Sequence, residues 1–204
     1  MLAIIDYGVG NLFSLQCSLK KIGVDAVVTN DPQTIKNADR IILPGVGAFG
    51  DASEKLYESG LVELITEQAN SGKPFLGICL GMQLLFEKGY EYGEHKGLGF
   101  LKGNVISLEG KIDKSLQIPH MGWNALDFQK ESPLFKYINN GDFVYFVHSY
   151  YATDCEDSVI ATSEYSIPVT AAVGKGNIFG CQFHPEKSGD VGLNILKAFC
   201  EIGD

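Results

Sequence analysis

The chain has 204 residues, with 16 basic against 25 acidic side chains and a formal net charge of −9. A hydrophobic share of 45 % with 20 % charged residues excludes a disordered chain, and the length suits one domain, 1–204, rather than two. The acidic balance argues against nucleic acid or an anionic membrane as the main partner, since either needs a basic face.

Residues 2–6 read as a short buried strand, ended by Gly8-Val9-Gly10-Asn11. A helix follows from Asn11, with Leu12, Leu15, Leu19 and Ile22 on one face and Gly23 at its C-cap. Residues 24–28 predict a second strand, Asn30-Asp31-Pro32 opens a short helix, and residues 40–43 predict a third strand. Pro44-Gly45-Val46-Gly47 leads into two amphipathic segments, near 50–58 and 61–70. Gly72-Lys73-Pro74 then introduces a strand over 75–78, with a helix from Leu80 that includes 82–87. Beyond residue 88 the pattern turns to β, over 103–108, 143–152, 159–165, 168–174 and 177–183. A last helix starts near Ser188, with Leu193, Leu196 and Phe199 or Cys200 facing inward. This order predicts an α/β fold: a single-domain open mixed sheet, mostly parallel and flanked by helices, with antiparallel additions in the C-terminal half.

Residues 1–5 form an apolar run stopped by Asp6, with no basic segment before it, and no apolar stretch reaches the ~18–20 residues of a membrane span. The five cysteines are odd in number and form no close pairs, which suits a reduced cytoplasmic protein rather than a disulfide scaffold or a zinc site. No metal and no cofactor is expected.

Glycine is in excess, 24 residues against a usual share of ~7 %, and its clusters mark the places where chemistry is expected. Gly77-Ile78-Cys79-Leu80-Gly81 fits a nucleophile elbow at a strand-to-helix junction, where small flanks permit a tight turn. The following helix's amino end would favour a thiolate at Cys79. Cys79 needs a base. His184, in Gln182-Phe183-His184-Pro185-Glu186, has a carboxylate two residues on, and in extended chain both side chains share a face. Cys79, His184 and Glu186 thus read as nucleophile, base and orienter. His148 and His120 are competing bases, and His95 sits in a polar, glycine-rich stretch that predicts a solvated ring. Gly45-Val46-Gly47-Ala48-Phe49-Gly50 matches G-x-G-x-x-G, yet it does not follow the first strand, and the next strand ends in a cysteine instead of an acid. It reads better as a turn whose N–H groups face a developing anion.

These motifs resemble the class I (triad) glutamine amidotransferases over essentially the whole chain. Within that family they are most similar to the glutaminase subunits of imidazole glycerol phosphate synthases. The narrowing rests on Pro44-Gly45-Val46-Gly47, Pro119-His120-Met121-Gly122-Trp123-Asn124 and the Lys187 that follows Glu186. The resemblance implies that L-glutamine is hydrolysed through a thioester on Cys79, with an oxyanion hole from Leu80 and the Val46–Gly47 loop. Gln83, Ser149 and Tyr150 would bind the substrate. It also implies a heterodimer with a (β/α)8 cyclase subunit, which receives ammonia past Asn11, Met121, Trp123 and Lys187 to make imidazole glycerol phosphate and AICAR in histidine biosynthesis. Gly47 would allow the oxyanion donor to stay turned away until that partner binds. From composition alone, Trp123 could equally be a core aromatic. Three alternatives stand beside this: a thiol peptidase or hydrolase on a similar sheet, a non-enzymatic module with a structural cysteine, and the same glutaminase chemistry feeding a different synthase. Residues 88–102 carry no motif.

Overall fold

A computed structural model describes residues 1–203. In chain order β1 (Leu2–Ile5), α1 (Leu12–Lys21), β2 (Ala26–Thr29), α2 (Pro32–Asn37), β3 (Arg40–Gly45), α3 (Phe49–Glu58), α4 (Val62–Asn70) and β4 (Phe75–Cys79) come first. Then follow α5 (Leu80–Gln83), β5 (Lys88–Gly89), β6 (His95–Lys96), β7 (Asn104–Ser107), β8 (His120–Ala125) and β9 (Asp127–Phe128). The chain closes with β10 (Phe143–His148), β11 (Tyr150–Thr153), β12 (Val159–Glu164), β13 (Pro168–Lys175), β14 (Ile178–Cys181) and α6 (Gly189–Cys200).

Eight strands form the main sheet in the order β2-β1-β3-β4-β14-β13-β12-β9. The pairings from β2 through β14 are parallel, and β13, β12 and β9 add antiparallel. The central strands β1, β4 and β14 are buried along their whole length, as a sheet covered on both faces requires. One face packs Leu15 and Leu19 of α1 with Ile195, Leu196 and Phe199 of α6. The other packs Phe49 and Leu56 of α3 with Ile65 of α4. Two smaller sheets, β10-β8 and β11-β7-β5-β6, lie outside the main one.

The predicted architecture holds, with local differences. The second strand starts later, at Ala26. The helix after the elbow stops at Gln83, because the carbonyls of Leu84, Leu85 and Phe86 accept N–H groups from Leu98, Leu101 and Gly99 instead of from a further helical turn. The expected strand over 143–152 divides at Ser149, and its halves join different sheets. In α6 it is Ile195 that is fully buried, while Leu193 is only half-buried. The strands β5, β6 and β9 have two residues each, too short to show an alternation, whereas β8 went unanticipated although Met121, Trp123 and Ala125 alternate along it.

Candidate active site

Strand β4 ends at Cys79 and the chain reverses into α5. Cys79 has φ +55° and ψ −112°, a conformation that costs a non-glycine residue about 1–3 kcal/mol. The reversal needs bare flanks. A Cβ on Gly81 would collide with the Leu43 carbonyl oxygen, and one on Gly77 would lie 2.6 Å from the Gly81 oxygen. The register Leu43↔Gly77 and Gly45↔Cys79 thus seats the elbow directly on β3. Leu80 opens α5, so its N–H belongs to the first-turn donors that a helix leaves without internal partners.

Strand β14 runs parallel to β4, pairing Cys181 with Ile78, and so delivers residues 182–186 beside the elbow. His184 is 2 % exposed. It lines the same cleft as Cys79, and its Nδ1 lies 2.8 Å from Glu186 Oε1. The backbone route differs from the extended one anticipated: residues Pro185–Lys187 form a single 3-10 turn that folds Glu186 back onto the ring. Burial opposes an imidazolium here, but interactions with Cys79 and Glu186, reinforced by their charges, outweigh it. The His184 pKa rises from 6.5 to about 10. Asn11, half-buried at the start of α1, approaches Glu186 Oε1 with its Nδ2 at 3.4 Å.

A cleft of about 320 Å³ opens over Cys79, and Val46, Gly47, Leu80, Gln83, Ser149, Tyr150, His184 and Lys187 all line it. Every residue expected at the oxyanion hole or the substrate site is therefore gathered around one sulfur. Gly47 has φ +96°, a backbone state that suits glycine, and it is exposed together with Val46 at the end of β3. Met121 and Trp123 are 61 % and 54 % exposed on one face of β8, so the tryptophan is no core residue. Trp123 lies beside Gly189, two residues from the exposed Lys187.

Three contributors went unread in the sequence. Gln182 is wholly buried. Its Nε2 donates to Cys79 Sγ at 3.7 Å and its Oε1 accepts from Gln83 Nε2 at 2.9 Å. Its place two residues before His184 was the available signal. Tyr7 donates its hydroxyl to the Pro44 carbonyl at 2.8 Å, tying β1 to the chain that leads into Val46 and Gly47. Burial first, and then the neighbouring Cys79, keeps that phenol protonated. Glu91 lies in the cleft and accepts the Phe49 N–H at 2.7 Å; it belongs to the segment with no motif.

The remaining histidines are corrected by the structure. His95 is half-buried in β6 against Gly50, not solvated. His120 and His148 bond to each other, Nδ1 to Nε2, at 3.0 Å, and their other nitrogens face Asn124 and the Tyr150 carbonyl. Neither has a ring nitrogen left to act as the base. Among the described residues no group of three or more His, Cys, Asp and Glu could hold a metal ion, and no helix is long and apolar enough to cross a membrane.

The profile of the family described as glutamine amidotransferase class-I matches residues 3–201. The imidazole glycerol phosphate synthase subunit HisH of Caldanaerobacter subterraneus subsp. tengcongensis is 54 % identical over 203 residues, covering 99 % of this chain and 98 % of the relative. The subunit of the same name from Lactococcus lactis is 52 % identical over 201 residues, covering 98 % of each. Among solved structures, PurLQS from Thermotoga maritima superposes with a TM-score of 0.74 at 21 % identity, covering 98 % of this chain and 96 % of that one. Sequence and fold agree: the chain belongs to the class I glutamine amidotransferase family, on the branch of the HisH subunits.

Proposed function

We propose that this chain is a cytoplasmic glutaminase subunit. It hydrolyses L-glutamine on Cys79 and hands the ammonia to a (β/α)8 cyclase partner, which makes imidazole glycerol phosphate and AICAR in histidine biosynthesis. The observation that carries the chemistry is Cys79 on a strained elbow, sharing one cleft with a His184 that is paired with the buried Glu186 carboxylate. Cys79 Sγ attacks the carboxamide carbon, and the charge that builds on its oxygen is met by the Leu80 N–H and a donor of the Val46–Gly47 loop. His184 gives its proton to the departing nitrogen, so ammonia and a γ-glutamyl thioester result. A water then attacks the thioester while His184 takes its proton. Glutamate leaves, and the sulfur is restored with the proton back on His184. Glu186 holds the ring throughout. The α-ammonium of glutamine finds its countercharge at Glu91, and Gln83, Ser149 and Tyr150 form the opposite wall of the cleft.

Five cysteines with no close pairs along the chain fit a reducing compartment. The exposed pair Met121 and Trp123, with Trp123 beside Gly189, offers the docking face for the cyclase, together with Lys187 of the cleft and Asn11, which approaches Glu186. Exposed aromatic and thioether side chains of this kind are typical interface anchors. Labelling with diazo-oxo-norleucine tests the chemistry: Cys79 should be modified, and Cys79→Ala should not. No labelling, with or without a partner, would sink the proposal. The protein that co-purifies tests the acceptor. A (β/α)8 cyclase is expected, and a different synthase would leave the chemistry intact but reassign the pathway.

A further inference from the structure

Two histidines are buried beside the cleft without contributing a base. His120 and His148 stand directly opposite each other on β8 and β10 and are only 3 % and 6 % exposed. His120 is sandwiched between the rings of Phe146 and Tyr165, at centroid distances of 4.7 and 4.0 Å. Burial holds both rings neutral, His120 at about 4 and His148 at about 3.

The hydrogen-bond partners fix every proton in the chain. The Tyr150 carbonyl can only accept, so His148 donates from Nδ1 at 2.9 Å. His148 Nε2 is then the acceptor, and His120 donates to it from Nδ1 at 3.0 Å. His120 Nε2 in turn accepts from Asn124 Nδ2 at 3.3 Å. The Asn124 amide is oriented independently, because its Nδ2 also donates to the Glu164 carbonyl at 2.9 Å and its Oδ1 accepts the Ala125 N–H. Both ends are thus anchored on backbone and all four ring nitrogens are satisfied. A fully satisfied buried polar chain is rigid, and it has one direction.

Its inner end lies at the site. The Tyr150 carbonyl that accepts from His148 also accepts Gln83 Nε2 at 3.0 Å, and Gln83 bonds Gln182, whose amide reaches Cys79 Sγ. We propose that the His120–His148 pair is a positioning relay for the substrate. It pins the Tyr150 carbonyl to β8, and through that carbonyl it holds Gln83 and the Ser149–Tyr150 wall at the spacing that glutamine requires. The proposal rests on the glutaminase reading. It makes the two histidines positioning residues, with no proton to transfer, and it links the glutamine wall to the strand that carries Met121 and Trp123.

The test uses the full chain and the kinetics of Cys79 inactivation by diazo-oxo-norleucine, with iodoacetamide as a probe that does not read the glutamine wall. His148→Leu removes the donor to Tyr150. The half-saturating concentration of diazo-oxo-norleucine should rise about tenfold, the loss expected for one buried hydrogen bond. The limiting inactivation rate and the iodoacetamide rate should stay within about twofold. His148→Asn retains a donor at the Nδ1 position and should recover affinity to within about threefold. His120→Leu, one link further out, should give a smaller rise than His148→Leu. Unchanged affinity in His148→Leu overturns the relay. So does an equal loss with both reagents that His148→Asn fails to rescue, since that marks a merely structural role. A wild-type chain that diazo-oxo-norleucine does not label would instead overturn the glutaminase reading itself.

Discussion

Replacing Glu186 by glutamine probes the electrostatics of the site directly. The amide retains an acceptor beside His184 Nδ1 and almost the same volume, but it removes the negative charge 2.8 Å from the ring. A hydrogen bond to a charged group contributes about 1.5–3 kcal/mol, and 1.36 kcal/mol corresponds to a tenfold change in proton affinity, so the imidazolium should drop to roughly 8–9. The wild-type ring holds its proton to about 10. Folding raises this pKa, so protonation of His184 stabilises the native state fully below about 6.5 and progressively less as the pH climbs toward about 10. In Glu186→Gln that support should fade over a narrower window that ends at lower pH. Imidazole-selective NMR titration reads the pKa, and thermal unfolding on either side of the window reads the stability. A wild-type His184 resonance that titrates near 6.5, or one that the substitution leaves in place, would refute the reasoning.

Three further outcomes are expected. Gly81→Ala forces a methyl group onto the Leu43 carbonyl; it should cost about 1–3 kcal/mol in urea unfolding and slow alkylation of Cys79, and a stable, fully reactive variant would contradict the elbow geometry. Gln182→Leu keeps the volume but removes the donor to Cys79 Sγ and the acceptor for Gln83. Iodoacetamide should then react about five- to tenfold more slowly at Cys79, and an unchanged rate would remove Gln182 from the site. Glu91→Gln should raise the KM for glutamine about tenfold with little change in kcat; a change in kcat alone would place Glu91 elsewhere in the cycle.

Parallel strands and the elbow were legible in the sequence because both leave local marks. Buried runs such as Phe75–Cys79 are bounded by glycine or proline, and only bare flanks permit the Cys79 conformation. His184 and Glu186 were legible as a pair from their spacing, though a 3-10 turn rather than extended chain brings them together. Glu91 was invisible because nothing local marks it. It reaches the cleft only through the packing of the 88–97 excursion against the amino end of α3, where it accepts the Phe49 N–H. The two decoy histidines show the same limit from the other side. His120 and His148 are 28 residues apart, and only the β8–β10 register makes them partners instead of bases.

The position of β14 bears on how the protein is made. It is among the last strands to leave the ribosome, yet it belongs in the middle of the sheet, between β4 and β13. Until it arrives, Phe75–Cys79 is an open apolar edge that invites association with other chains, and Cys79 has neither His184 nor Gln182 beside it. Closing that gap requires contacts across more than a hundred residues, a slow event for any topology. An unfinished chain therefore lacks the assembled site, and this is the interval in which its apolar edge is most open to other chains.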